Sequence, residues 1–492
     1  MADRSIPLRR IGDVLRAADL LTELRGSEDL AVSGVSQDSR SVSPGDLFLA
    51  WKGTATDAHD YVPQAEATGA SALVVEHPVA SELPQLVVAD GRRAAALAAG
   101  AVLGAPWENL TAVGITGTNG KTTTALLARW ILDGAAATRP AVAVGTLGMV
   151  DADGVRPGTQ GLTSPGPVQV AVWLWELASG GVRAVVMEAS SHALDQHRLD
   201  AVPFRIGAFT TLGRDHLDYH GDEAAYFGAK ARLVELVDPT GTLVVNGDEP
   251  AWADLEPAGR AVRTFSVGGD GDVSATALEL GPAGSSFVLQ ADGAHVPVTL
   301  PLLGRFNVEN ALAAAAIALA AGVDLDRVEE RLGTVPQIPG RLEVVHDGDV
   351  TVLVDFAHTP DALETVLATL RPLAAGRLLV VFGAGGDRDR AKRPAMARAV
   401  ARAADVVVLT SDNPRTEDPE AILDDLAHGL EGVPHHREVD RAEAIGWALD
   451  AARPGDTVLL AGKGHETYQV VGTETRPFDE PALVRAHFGG TA

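Results

Sequence analysis

The chain has 492 residues, 46% of them hydrophobic, enough for about three domains of ordinary size with separate cores. Its formal charge of −26 argues against a nucleic-acid surface, because phosphate binding needs clustered lysine and arginine. The absence of cysteine excludes disulfides, thiolate metal sites and a cysteine nucleophile, leaving oxygen or imidazole to hold any metal.

Residues 1–15 contain no continuous apolar run after a basic start. The longest apolar stretch, residues 311–321, is too short to cross a bilayer. A soluble, cytoplasmic protein without membrane or nucleic-acid partners is therefore expected; a monomer is also expected, though nothing in the apolar pattern bears on it. Short β-branched runs at 73–75, 110–115, 184–187, 242–245, 378–382, 406–410 and 457–460 alternate with Ala/Leu-rich helical stretches. That alternation predicts α/β units with parallel sheets. Residues 262–300 differ, with alternating segments broken by Gly-Gly-Asp-Gly, Gly-Pro-Ala-Gly and Asp-Gly turns, and predict a small antiparallel meander. Breaks at Gly104-Ala-Pro-Trp-Glu108 and Pro336-Gln-Ile-Pro-Gly340 suggest three domains, residues 1–106, 107–336 and 337–492. The expected architecture is an N-terminal α/β domain, a central P-loop ATPase-type α/β domain carrying the small sheet, and a C-terminal Rossmann-like α/β domain.

The strongest local signal is Gly114-Ile-Thr-Gly-Thr-Asn-Gly-Lys-Thr-Thr123, set between an apolar strand and a helical run at 122–132. Glycines let backbone N–H groups surround phosphate oxygens, and the helix N-terminus adds a favourable dipole. Lys121 can neutralise the β- and γ-phosphates, and Thr122 can ligate Mg2+. Strict Walker spacing would need glycine at Ile115. Glu188 closes the apolar run at 184–187, at the strand edge where open α/β sheets place ligand-contacting residues. It can complete a Mg2+ shell with Thr122 and phosphate oxygens, or merely cap the next turn.

Gly117-Thr-Asn-Gly-Lys-Thr122 is similar to the phosphate loop of Mur ligases and folylpolyglutamate synthetases, which depart from Walker spacing in the same way. Further along stand Met187-Glu-Ala-Ser-Ser-His-Ala-Leu-Asp-Gln-His-Arg198, Asp215-His-Leu-Asp-Tyr-His-Gly221, Gly304-Arg-Phe-Asn-Val-Glu-Asn310 and Asp355-Phe-Ala-His-Thr-Pro-Asp361. Gly383-Ala-Gly-Gly-Asp-Arg-Asp389, Asp412-Asn-Pro-Arg415 and Gly462-Lys-Gly-His-Glu466 complete the series. In this order they resemble the Mur ligase pattern over nearly the full chain, in particular that of the members adding the third peptide residue.

The resemblance implies ATP-dependent ligation of meso-diaminopimelate to UDP-N-acetylmuramoyl-L-alanyl-D-glutamate through an acyl phosphate. Lys121, Glu188, His216 and Lys230 are its implied catalytic residues. Thr122, Glu188, His216 and Lys230, the last as a CO2-derived carbamate, would hold Mg2+. The ATP-binding set is Gly117, Thr118, Asn119, Gly120, Lys121, Thr122 and Thr123, with Asn307, Asn310, Arg341, Asp355 and His358 near the nucleotide. Asp38-Ser-Arg40 looks like the UDP-sugar platform, with Ser39 in contact. Thr163, Ser164, Ser190, Gln196 and Arg198 match positions holding the diphosphate, sugar and peptide; the Arg198 fork suits phosphate or carboxylate independently.

Asp412, Asn413, Pro414 and Arg415 follow the apolar run at 406–410. A proline turn there presents an acid, an amide and a guanidinium, which suits a ligand bearing both ammonium and carboxylate groups. Asp-Asn-Pro-Arg resembles the signature of diaminopimelate-adding members, and lysine-adding relatives lack the arginine. Arg388, Gly462 and Glu466 complete that implied pocket.

Three departures from the family pattern stand out: Thr211 for the usual asparagine, Ser164 within Thr163-Ser-Pro165 for threonine, and Phe356 for the commoner tyrosine. Among other readings, a folate polyglutamylating ligase is the nearest enzyme. A kinase would share the phosphate loop but leave a phosphorylated product, and a nucleotide-gated binding protein would need no chemistry at all.

Overall fold

Strand side chains alternate between two faces, and in the central strands of the three large sheets both faces are apolar and buried. The computed structural model describes residues 5–53, 56–135, 140–156, 158 and 162–489. Two compact units result. One comprises Met1–Thr276, Leu289–Val296 and Glu309–Leu332; the other comprises Ala277–Val288, Pro297–Val308 and Gly333–Ala492.

The first unit begins with a five-stranded sheet, in the order Leu21–Arg25, Gln85–Val88, Ala72–Val75, Asp46–Leu49, Gly34–Ser36. Leu47, Leu49, Val74, Leu86 and Val88 pack on one face with Leu8, Ile11 and Leu15. Phe48, Leu73, Val75 and Val87 pack on the other with Val62 and Ala65. In the same unit lies a second sheet whose parallel core runs Ala141–Gly145, Ala184–Glu188, Thr111–Thr116, Phe204–Phe209, Val237–Asn246, Ala261–Ser266. Val113 pairs with Val186 on one side and Ile206 on the other.

Ala261–Ser266, expected to open the antiparallel meander, instead extends this parallel sheet, with Val245 opposite Thr264 and Asn246 opposite Phe265. Its exposed first half resembles an edge strand, whereas Phe265 and Ser266 are buried. The strands Val273–Gly281, Gly284–Ala291 and Ala294–Leu300 follow with two-residue connections, a hairpin-like spacing.

The second unit holds a six-stranded sheet in the order Glu343–Asp347, Thr351–Asp355, Thr457–Ala461, Leu378–Phe382, Val406–Leu409, His435–Arg437. Every pair is parallel except the first. Leu378, Val380 and Phe382 enter one core and Leu379 and Val381 the other. Among the described residues no helix is long and apolar enough to cross a membrane.

Beneath this sheet's C-terminal edge, Arg441 and Glu480 pair at 2.6 Å with both side chains fully buried. The Arg441 guanidinium also donates to the carbonyls of Ser411 at 3.2 Å and Ala461 at 2.9 Å, tying together the ends of the two strands that flank Leu378–Phe382. Glu480 Oε2 is buried without a hydrogen-bond partner, so losing the guanidinium leaves a poorly solvated carboxylate. Arg441→Leu is expected to destabilise the chain by about 3–5 kcal/mol in urea denaturation, and the paired change Arg441→Leu/Glu480→Leu to recover most of that loss.

Candidate active site

The strand Thr111–Thr116 lies between Ala184–Glu188 and Phe204–Phe209, and its end opens into the loop Gly117-Thr-Asn-Gly120 before the helix Lys121–Gly134. Gly117 has φ +146° and Gly120 φ +85°, backbone conformations that L side chains rarely adopt. A Cβ on Gly117 would lie 1.9 Å from Thr210 Oγ1, and one on Gly120 2.4 Å from Asn310 Oδ1. Asn310 is thus brought against the loop, and its Oδ1 also meets Thr124 Oγ1 at 3.3 Å.

The end of Phe204–Phe209 fastens the loop. Thr210 Oγ1 reaches the Asn119 carbonyl at 2.7 Å, and the Thr211 carbonyl accepts from Thr118 N at 2.6 Å. The Thr211 hydroxyl accepts from Asn119 N at 3.2 Å and reaches the Asn119 carbonyl at 3.4 Å.

Two lysines converge here. Lys121 Nζ donates to the carbonyls of Gly117 and Thr118, each at 2.8 Å, and Lys230 Nζ donates to the same Gly117 carbonyl at 2.7 Å. Lys230 is 1% exposed and lies 4.4 Å from the centroid of the Tyr226 ring. Burial, and after it the Lys121 ammonium, holds the Lys230 amine well below the usual lysine range, against the opposing pull of Asp215. Burial also pushes the Tyr226 phenol up to about 12.

Glu188 ends its strand 2% exposed, with Oε1 accepting from Thr146 N at 2.9 Å and Oε2 from Thr146 Oγ1 at 3.1 Å. The buried Ser164 hydroxyl donates to the Glu188 carbonyl at 2.7 Å and accepts from Ser190 N at 3.1 Å. Thr163 lies 3.3 Å from Thr146 Oγ1. Arg198 donates to the Ser164 carbonyl at 2.9 Å and to Gln196 Oε1 at 3.0 Å. Buried Ser39 donates to Gln64 at 2.9 Å, and the neighbouring Gln37 would meet a Cβ on Gly166 at 3.1 Å. His216 has φ +53° and an exposed side chain whose ring meets His192 edge-on at 4.8 Å. Burial, then His216 and His220, pushes His192 down to about 4.

Among the described residues no three His, Asp or Glu side chains cluster as a metal cage. The donor set nevertheless fits Mg2+, which takes one or two carboxylates and completes its octahedron with water and phosphate oxygens. A threonine hydroxyl beside the phosphate loop and a buried strand-end carboxylate are oxygen donors of that kind.

The second unit assembles another cluster at its own sheet edge. Asp412 and Asn413 are buried beyond the strand Val406–Leu409, and Asn413 Nδ2 donates to Glu466 Oε2 at 2.8 Å. Arg415, at φ +52°, donates to the Gly386 carbonyl at 2.7 Å. A Cβ on Gly385 would lie 3.0 Å from Arg415 Nη1 and 3.8 Å from Arg388 Cγ, so both side chains flank that loop. Gly386 N donates to the Asn413 carbonyl at 2.9 Å, and a Cβ on Gly462 would lie 3.8 Å from the Asp412 carboxylate.

Asp355 is placed as a loop clamp, its two carboxylate oxygens accepting from Leu342 N and Ala357 N, each at 2.7 Å. Burial raises its carboxyl against the opposing effect of Arg341. Arg341 lies 4.5 Å over the Phe356 ring, His358 Nδ1 lies 2.8 Å from the Phe356 carbonyl, and buried Asn307 donates to the Leu303 carbonyl at 2.9 Å.

Sequence reasoning missed Thr146, Thr210 and Lys463. Lys463 sits inside a motif already singled out, and its flanking glycines were the available signal. Thr146 and Thr210 are strand-end hydroxyls with no pattern of their own. Gly117→Ala would combine a strained φ with a clash against a threonine already fastened to the loop. It is expected to weaken ADP binding about tenfold or more, read by calorimetry, while circular dichroism stays unchanged.

Three stretches of the chain match Mur ligase families. Residues 31–106 match the family described as Mur ligase family, catalytic domain; 115–318 the Mur ligase middle domain; and 340–464 the Mur ligase, glutamate ligase domain. The chain is 39% identical over 485 residues to the UDP-N-acetylmuramoyl-L-alanyl-D-glutamate--2,6-diaminopimelate ligase of Bacillus licheniformis, covering 96% of this chain and 99% of that protein. It is 43% identical over 477 residues to the protein of the same name from Synechococcus elongatus, covering 93% and 94%. A solved structure of a ligase of that name superposes with a TM-score of 0.70 at 35% identity, over 99% of each chain. Thermotoga maritima MurF in complex with ADP shares the fold at a TM-score of 0.63 and 20% identity, over 88% and 94%. With a family match on each of the three large sheets and relatives aligned over nearly their whole length, the chain belongs to the Mur ligase family.

Proposed function

We propose that this chain joins meso-diaminopimelate to UDP-N-acetylmuramoyl-L-alanyl-D-glutamate at the expense of ATP, a step of cytoplasmic peptidoglycan precursor synthesis, with residues 1–106, 107–336 and 337–492 as its three domains. The observation that carries the reading is the strand-end cluster of Asp412, Asn413, Arg415 and Glu466 in a chain whose phosphate loop is lined by two lysines. The named relatives support the same substrates.

A carboxylate does not acylate an amine at neutral pH, because oxide would have to leave. The γ-carboxylate of the D-glutamate therefore attacks the γ-phosphorus of ATP, breaking the bond to ADP and forming an acyl phosphate. The diaminopimelate amine adds to the activated carbonyl, loses a proton, and expels inorganic phosphate. The residues of the chain act through charge and position. The glycine loop turns backbone N–H groups toward the phosphates, and Lys121 exchanges its loop carbonyls for phosphate oxygens. Arg198, Ser190, Gln196, Thr163, Ser164 and Ser39 orient the UDP-linked peptide. Asn307, Asn310, Arg341, Asp355 and His358 border the nucleotide. Arg415 and Arg388 receive carboxylate from diaminopimelate, and Glu466 faces an ammonium group.

Thr122, Glu188, His216 and Lys230 as its carbamate would hold Mg2+, which when bound neutralises the transferring phosphoryl oxygens. The Lys230 amine suits carbamate formation, because only a neutral amine attacks CO2, and burial favours the neutral form.

Three tests follow from this reading. Incubated with the UDP-dipeptide, ATP and equal diaminopimelate and lysine, the protein should give the diaminopimelate product by mass spectrometry. Arg415→Ala should lower kcat/KM for diaminopimelate by about 2–5 kcal/mol, and unchanged selectivity would overturn the substrate assignment. Exhaustive removal of CO2 should depress activity and bicarbonate restore it, while Lys230→Ala should be nearly inactive under both conditions. Full activity of that variant would sink the carbamate.

A further inference from the structure

Lys463 has a side chain with no exposed surface, in a pocket whose rim must admit a zwitterionic ligand. Its three N–H donors meet three acceptors: Asn413 Oδ1 at 3.1 Å, Asp412 Oδ1 at 3.4 Å and Glu466 Oε2 at 3.4 Å. The rings of Tyr468 and Phe478 stand 5.9 and 6.0 Å from the ammonium. Asn413 Oδ1 is shared with Val470 N at 2.9 Å, which turns the Asn413 NH2 toward Glu466. Gln469 holds the Asp412 carbonyl at 2.8 Å, so the turn bearing these groups is fixed from below.

We propose that Lys463 is a positioning residue that sets the charge of the amino-acid subsite. It neutralises one of two carboxylates, the buried Asp412 and the partly buried Glu466, so that Asp412, Glu466 and Lys463 together leave one negative charge for one substrate ammonium. This inference rests on the diaminopimelate reading above and adds the reason a single ammonium is accepted there. With both carboxylates uncompensated, the turn would repel itself and draw in water or a stray cation; with both neutralised, a bound ammonium would have no partner. A lysine needed only to hold the fold would make no distinction between the amine and the other two substrates.

The test uses the full-length enzyme and compares KM for all three substrates in wild type, Lys463→Met, Glu466→Gln and the double variant. Lys463→Met should raise KM for diaminopimelate about 30-fold or more, with KM for ATP and the UDP-dipeptide changed less than about threefold. The double variant restores one net negative charge and should bind diaminopimelate better than either single variant. Equal rises in all three KM values, or a double variant no better than the worse single one, would overturn the proposal. If Lys463→Met does not fold, Lys463→Gln, which keeps a donor toward Asn413, is judged by the same two criteria. Should the wild type join another amine, the substrate reading fails, and the same comparison made with that amine still decides the role of Lys463. Should it join none, calorimetric binding of diaminopimelate to these four proteins decides it.

Discussion

Two lysine side chains aimed at one carbonyl oxygen set the constraint on which the first unit depends. Lys121 and Lys230 both donate to Gly117, and Lys230 does so from a site with almost no solvent. Two neighbouring ammonium groups in a poorly solvated pocket repel each other, and the repulsion is relieved by an arriving polyanion or by loss of charge from one amine. In the proposed reaction both solutions serve phosphoryl transfer. Much of the surrounding structure serves to hold this arrangement: the glycines that let the loop turn, the threonines that fasten it, and Tyr226 walling off the amine.

The same device recurs in the second unit with the signs exchanged. There two carboxylates crowd a buried turn and one ammonium divides its hydrogen bonds among them and Asn413. In each case the functional groups lie just past the C-terminal ends of adjacent parallel strands. Thr116, Glu188 and Phe209 end neighbouring strands of one sheet, as Asp355, Ala461, Phe382 and Leu409 do in the other. Parallel pairing alone brings such loops together, since every strand in the run points the same way. Arg441 then links two of those ends from beneath, making the edge rigid where the ligand is to meet it.

How much of this was legible depends on the range of the interaction. Apolar runs such as 378–382 coincide with the observed strand Leu378–Phe382, because burial on both faces leaves a continuous β-branched signature. The phosphate loop was legible because its glycines, lysine and threonine are consecutive. Thr146 was not, since its partner Glu188 lies on another strand and a single hydroxyl carries no period. The parallel register of Ala261–Ser266 escaped for a related reason: its exposed first half, followed by glycine-rich turns, matches a meander locally, and only pairing with Val237–Asn246 reveals the direction. Motif residues were assigned roles by what they can touch. Lys463 was passed over because its part is to orient Asn413 and balance charge, which requires the fold around it.

Two of the departures from the family pattern, Thr211 and Phe356, show which property of each side chain the geometry uses. At Thr211 the usual asparagine offers separate donor and acceptor atoms, yet the threonine hydroxyl meets both the N–H and the carbonyl of Asn119. One oxygen suffices because both groups belong to the same residue of the loop. At Phe356 the ring face is in use: Arg341 lies over it, and His358 and His465 pack against it at 4.7 and 5.3 Å. A cation over an aromatic face gains about 0.5–2 kcal/mol from the ring quadrupole, which phenylalanine supplies. What the missing hydroxyl takes away is a polar atom in a region where His465 Nδ1 is already buried without a partner. Burial pushes that imidazole down to about 4, so it stays neutral beside Arg341 and adds no second positive charge to the ring stack. The Arg341 guanidinium is then the one cation of that stack, the same economy of charge that governs the two lysines at Gly117.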